Sequence, residues 1–280
     1  MTEDLKSNGS DTLEVVIEEN AQLRATLHGV LTGTTSKANI RSALDYDEEL
    51  EQQYIGAQWW FKKKQERNTK NKSAPKPTIS EDAYGFNNIR RIFSEKGYTL
   101  NADEHDYTCN IVGVRSKDTT VNVFNDFILL FYWYRGRWVE RKWSATTDPG
   151  SYWLTRQHLS NAAGTAILTP GQYNEKYTIR KHRGRYDAVC QKWGTTVPVY
   201  RDNDRDGEID YGAAVGSAGG INIHRADRYD KIYRIDSHSA GCQVFQDPED
   251  FDEFMGVMQK SKQSHGNSFS YTLISEYDLA

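Results

Sequence analysis

The chain has 280 residues, a formal net charge of −4 and a hydrophobic fraction of 37%. That length suits one large domain or a domain with appendages, and the small negative charge argues against general affinity for nucleic acid or anionic membranes. No apolar run approaches the roughly 18 residues of a membrane-spanning helix, and Met1 to Ser10 lacks the apolar core of a secretory signal.

Residues 11–33 predict an amphipathic helix. Leu13, Val16, Asn20, Leu23, Leu27 and Val30 step by three and four, the a/d pattern of a coiled coil, with Asn20 able to fix register. About three heptads is marginal for an isolated zipper. Two readings stand: a homo-oligomer or virion partner engaged through this helix, or a helix packed on its own domain. Residues 37–67 are helix-prone and charged, and carry Trp59, Trp60 and Phe61 before Lys62, Lys63 and Lys64. Residues 68–80 lack apolar periodicity and contain Pro75 and Pro77, a linker composition. The basic run from Lys62 to Lys76 reads as a solvated hinge rather than a site for nucleic acid or an anionic wall polymer.

From Glu81 to Lys96 a helix is expected again, with Phe86, Ile89, Ile92 and Phe93 on one face and Gly97 as its C-cap. Beyond it the apolar period becomes two. Strands are predicted at 107–112, 120–124, 126–134, 137–146, 166–168, 177–179, 186–190, 197–200, 221–224, 243–245 and 269–275, with a tight turn at Gly136. One helix interrupts them: Asp247-Pro248-Glu249 signals its start, and Phe251, Phe254, Met255 and Met258 form its buried stripe. The expected organisation is a helical N-terminal arm (1–67), a linker (68–80) and a mainly β domain of sandwich or barrel type (81–280).

The odd number of cysteines, Cys109, Cys190 and Cys242, leaves at least one thiol free within the chain. Cys109 and Cys190 sit in strand-like stretches and read as packed small hydrophobes, with a disulfide between them left open. Cys242 differs. It follows the small-residue turn Ser239-Ala240-Gly241, and 18 residues upstream (242 − 224 = 18) the β-branched segment Gly220-Ile221-Asn222-Ile223 delivers His224. A thiol needs a base or a positive neighbour to become a nucleophile. A buried structural cysteine near an unrelated histidine is the competing reading.

His224, the 18-residue step and Ser239-x-Gly241-Cys242 resemble the catalytic signature of the L,D-transpeptidase family of peptidoglycan enzymes. Thr165 to Tyr173, with Thr169-Pro170-Gly171-Gln172-Tyr173, is similar to a stretch found before the site in that family. The resemblance covers about residues 110–275. It implies a β-sandwich or barrel catalytic domain in which Cys242 is the nucleophile and His224 its base. The Arg225 carbonyl would orient the imidazole, and the Gly241 and Cys242 amides, in a turn shaped by Ser239, would stabilise an oxyanion. The implied partners are peptidoglycan stem peptides, acylated onto the cysteine and passed to an amine or to water, with no cofactor needed for catalysis. Two positions depart from the pattern: Ala240 replaces the motif histidine and Val244 the usual polar residue, with Gln243 and His238 as polar substitutes. A wall-active chain with no signal would act after lysis, through a holin-type route, from a phage particle, or as a piece of a longer chain. The rival expectation is an inactive virion or wall-binding protein that keeps the fold.

Asp202, Asp204, Asp206, Glu208 and Asp210 alternate around Gly207, as oxygen ligands for a structural Ca²⁺ would. The position for a bidentate glutamate is Ala213, and Asp side chains bonding local amides are the alternative. The segment Thr146 to Trp153 is a rigid turn that either walls a cleft or joins strands.

Overall fold

The computed structural model describes residues 81–155, 161–212 and 215–280, all within the compact unit Thr78–Ala280. The expected coiled-coil arm and linker, residues 1–80, lie outside these residues. A 3-10 turn at Glu81–Tyr84 leads into α1 (Phe86–Lys96), then β1 (Cys109–Arg115), β2 (Asp126–Tyr134), β3 (Arg137–Thr146) and the short α2 (Ser151–Thr155). β4 (Thr165–Leu168), β5 (Gly171–His182), β6 (Tyr186–Gln191), β7 (Val197–Asp202), β8 (Val215–Ala218), β9 (Ile223–Arg225) and β10 (Gln243–Phe245) follow. α3 (Pro248–His265), β11 (Phe269–Ser275) and a 3-10 turn at Glu276–Leu279 complete the order.

The domain is mainly β, as the period-two pattern predicts. Eight strands close a barrel in the order β1-β11-β5-β6-β9-β10-β3-β2, and β4-β7-β8 form a separate three-stranded sheet. Two neighbouring pairs of the barrel, β1 with β11 and β9 with β10, are parallel, and the others are antiparallel. Closure leaves the barrel strands without an unpaired edge.

Strand β2 is apolar nearly throughout because both of its faces are covered. Ile128, Leu130 and Tyr132 join the core that includes Phe251, Phe254 and Met258 of α3, whereas Leu129 and Phe131 pack with α1. The four predicted residues of α1 are its buried ones, and Gly97 caps it in the left-handed conformation at φ 67°. Burying four such side chains contributes on the order of 6–12 kcal/mol before conformational entropy is charged against it. At the start of α3, Asp247 accepts the Glu249 amide and Pro248 fills the first turn.

One expected strand is absent, and two short elements appear that the pattern does not predict. Thr120–Phe124 is not a strand: Asp118 bonds the Thr120 amide and hydroxyl, and Asn122 has φ 68°, so local side-chain bonds bend the chain. β8 and α2, which carry no strong periodicity, were not anticipated. All three cysteines are free, with Cys109 Sγ 3.4 Å from Ser261 Oγ.

Candidate functional site

β9 and β10 run parallel with Gln243 opposite Ile223 and Val244 opposite His224. One step earlier this register sets Cys242 beside Asn222, and the Gln243 amide donates to the Asn222 carbonyl at 2.8 Å. Paired residues of adjacent strands share a face and alternate residues return to it. Cys242 and His224 are therefore diagonal neighbours on one face of the barrel wall. Cys242 is half-buried, while His224 is 6% exposed.

His224 Nδ1 lies 2.8 Å from the Arg225 carbonyl oxygen. A carbonyl only accepts, so Nδ1 carries the proton and Nε2 keeps its lone pair. The ring stacks on His182 with centroids 4.3 Å apart. Burial, with His182 next and Arg183 and His238 further contributing, pushes the His224 pKa down to about 3, against the Arg225 hydrogen bond that raises it. Burial followed by Arg183 and Arg180 lowers His182 to about 4. At neutral pH both imidazoles are uncharged. The Arg225 guanidinium lies 4.3 Å from the Tyr186 ring and 3.4 Å from an Asp252 carboxylate oxygen.

Burial raises the Cys242 thiol, and the Asn222 N–H and the Arg183 charge act the other way. The thiol donates to the Gly220 carbonyl at 3.5 Å, and the Asn222 N–H donates to the sulfur at 3.5 Å. Among the described residues no hydrogen bond joins Cys242 Sγ to the His224 ring. The pair is thus a neutral thiol and a neutral imidazole on a shared face with no direct hydrogen bond between them.

The turn before Cys242 is built by Ser239 and Gly241. Ser239 Oγ donates to the Cys242 carbonyl at 2.8 Å and accepts the Gly241 amide at 3.2 Å. The Ser239 carbonyl in turn accepts the Gly150 amide at 3.0 Å, which ties the 146–153 segment to the turn. Gly241 has φ +115°, and a Cβ there would lie 2.2 Å from the Ala166 carbonyl oxygen of β4. No side chain fits that approach. Of the two amides expected to stabilise an oxyanion, that of Gly241 is already held by Ser239 Oγ. Val244 is fully buried opposite Thr146. Gln243 is unavailable as a polar substitute, since Tyr271 donates to its Oε1 at 2.7 Å and its Nε2 donates to the Gly241 carbonyl at 3.3 Å. His238 remains within electrostatic reach of His224.

Asn222 is the hub that the sequence reading passed over. Its amide reaches Cys242 Sγ, its Oδ1 accepts the Gln191 amide at 3.0 Å, and its Nδ2 donates to His182 Nδ1 at 3.4 Å. His182 has no motif context in the sequence, yet it stacks on His224 and meets Asn222. Only its spacing within a strand of alternating polarity (Tyr177, Ile179, Lys181 against Thr178, Arg180, His182) places it on the face of His224.

A second buried polar cluster lies apart from the sulfur. The Arg115 guanidinium is 3.0 Å from Asp148, donates to the Leu168 and Thr147 carbonyls at 2.8 and 2.9 Å, and is 5% exposed. Asp126 accepts the Ser116 and Thr147 amides at 2.7 and 2.6 Å, and Tyr211 donates to Asp148 at 2.6 Å. Burial and then the Asp148 charge raise Asp126 above the ordinary carboxylate range. In the Asp-rich loop, Asp202 is 2% exposed and accepts the Asp210 amide at 3.2 Å. Asp204 accepts the Asp206 amide at 3.2 Å, and Asp206 accepts the Glu208 amide at 2.8 Å. Among the described residues no three His, Cys, Asp or Glu side chains converge as a metal-holding group, nor is any helix long and apolar enough to cross a membrane.

Comparison with protein-family models, with curated proteins and with solved structures found no match to the chain.

Proposed function

We propose that the domain is a cysteine acyl-transfer enzyme of the L,D-transpeptidase type, acting on the stem peptides of peptidoglycan. The observation that carries this reading is the His224 Nδ1 bond to the Arg225 carbonyl, which leaves an unprotonated Nε2 on a ring that shares a face with Cys242. Nε2 takes the thiol proton as Sγ adds to the scissile carbonyl, and the carbonyl pair moves onto oxygen beside the Cys242 amide. The tetrahedral centre collapses to a thioester, and the imidazolium returns its proton to the leaving amine. A second amine then gives a cross-link, or water gives hydrolysis by the same proton path. The lowered imidazole pKa keeps Nε2 unprotonated but weakens it as a base, so proton transfer accompanies thiol addition to the carbonyl rather than forming a thiolate first.

A lytic or virion-borne role favours water as the acceptor. A Ca²⁺ on the 202–210 loop, held by Asp202, Asp204, Asp206, Glu208 and Asp210, would brace the segment before β8 and take no part in acyl transfer. The test is incubation of the full chain with intact sacculi and soluble tetrapeptide stems, beside Cys242→Ala, read by mass spectrometry. Loss of a terminal residue or cross-link, or a new cross-link, in the unsubstituted protein alone is the expected result. No change on several wall chemistries would make the domain a scaffold that retains the site without turnover.

A further inference from the structure

The face that carries Cys242 and His224 continues across β9 onto β6 and β5. The register pairs Val189 with Ile223, which sets Cys190 beside Asn222, and Thr178 is paired with Cys190. Arg180, two residues along from Thr178 and paired with Ala188, belongs to this same face. Its guanidinium donates to the Gln191 carbonyl at 3.2 Å and lies 4.2 Å from the centre of the Trp193 ring. That bends it back over the level of Cys190, in whose environment its charge is felt. Trp193 itself is 83% exposed.

Two features of Arg180 point to a ligand. Its Nε is buried without a hydrogen-bond acceptor, a costly state for a charged donor. The side chain also has no carboxylate partner among the described residues; Asp187 of the same hairpin is taken by Lys181 at 3.1 Å and Gln259 at 3.2 Å. An exposed aromatic under a planar cation fixes the guanidinium while leaving its edge for a second bond. Arg183, exposed at the tip of the β5–β6 hairpin, adds charge of the same sign, sensed by both Cys242 and His224.

We propose that Arg180, braced on Trp193, is the specificity-determining contact for a carboxylate of the peptide substrate. This rests on the acyl-transfer reading above. Cys190 lies two strand spacings from Cys242, about 10 Å. An extended peptide covers roughly 3.3–3.6 Å per residue, and an arginine–carboxylate bond adds about 2.8 Å. The recognised carboxylate is therefore carried one or two residues from the scissile carbonyl. Arginine suits this role because its fork takes both carboxylate oxygens and its charge does not depend on pH.

The test measures binding of two tetrapeptide stems to full-length Cys242→Ala by calorimetry, one with free carboxylates and one fully amidated. The free acid is expected to bind about tenfold tighter. Arg180→Gln on that background removes the difference while amide affinity stays the same, which also reports an intact fold. Arg180→Lys restores part of it, and Trp193→Ala reduces it. Equal binding of acid and amide to Cys242→Ala overturns the proposal, as does a difference that survives both Arg180→Gln and Trp193→Ala. Turnover by the unsubstituted chain without carboxylate discrimination removes this subsite alone. Discrimination without turnover removes the acyl-transfer reading and leaves a carboxylate-binding surface.

Discussion

The domain buries two polar clusters, and they are built on opposite electrostatic plans. Around Arg115 the protein keeps charge and surrounds it: one guanidinium, the Asp148 carboxylate, and bonds to two carbonyls and a hydroxyl. Around Cys242 it removes charge. Both histidines are held neutral and the thiol is raised, so the groups that would react carry no formal charge at rest. A buried charge held by an opposite charge and by backbone acceptors ties strands together, and removing one partner exposes the desolvation penalty. In a buried neutral pair a proton exchange would create two charges, and the burial that lowers His224 and raises Cys242 opposes it until a bound group shares the developing charge. The contrast separates a cluster held together by charge from one kept free of it.

The strongest way to break this contrast is Arg115→Ala. Leaving Asp148 and its neighbour Asp126 buried without the cation should cost about 3–5 kcal/mol, read by denaturant unfolding. A loss below about 1 kcal/mol would mean that the cluster is hydrated and not structural. Next is Gly241→Ala, whose Cβ meets the Ala166 carbonyl at 2.2 Å in a left-handed backbone. It should cost about 1–3 kcal/mol and lower acyl transfer by more than tenfold as the turn shifts. Unchanged turnover would detach the turn from the sulfur's function.

The pH dependence of stability sharpens the comparison because the clusters pull in opposite directions. His224 and His182 bind a proton more readily in the unfolded chain than in the fold, so stability rises with pH from about 3–4 towards 6.5. Each contributes at most about 1.4 kcal/mol per pH unit. Asp126 is shifted upwards, so its contribution is present at low pH and declines as pH rises from the unfolded value through the raised folded one. His224→Gln should flatten the rise. A slope unchanged in His224→Gln and in His182→Gln would show these rings to be solvated. The smallest effect is expected at the Asp-rich loop, where a weak Ca²⁺ site at millimolar metal should raise Tm by about 1 °C over chelator, and Asp204→Asn should remove the rise. An identical Tm in both conditions ends the calcium reading.

Much of this was legible because burial on two faces and local signals act through neighbouring residues. The continuous apolar run of β2, the bounds of β10 and β11, the Asp247-Pro248 start of α3 and the Gly97 cap all follow from residues within a few positions. Thr120–Phe124 misled because its alternation is genuine, yet Asp118 and Asn122 bend the chain with side-chain bonds that pattern does not register. At the site, Cys242, His224 and Ser239 could be named from a short motif. Asn222, His182 and Arg180 could not, because their role depends on the β9–β6–β5 register between segments separated by tens of residues. The free state of Cys109 and Cys190 likewise depends on where distant strands fall.

The pairing of β1 with β11 has a consequence for how the protein is made. Ile111 lies opposite Tyr271, 160 residues later in the chain (271 − 111 = 160), so closure joins segments at opposite ends of the domain. Such long-range pairing folds slowly and cannot form while β11 is still inside the ribosome. A nascent chain emerging at about 5–20 residues per second has already exposed Cys242, yet it lacks the strand that supplies Tyr271 beneath Gln243. The wall bearing the thiol is completed only after synthesis passes that strand, giving the producing cell a delay between translating Cys242 and possessing the assembled wall.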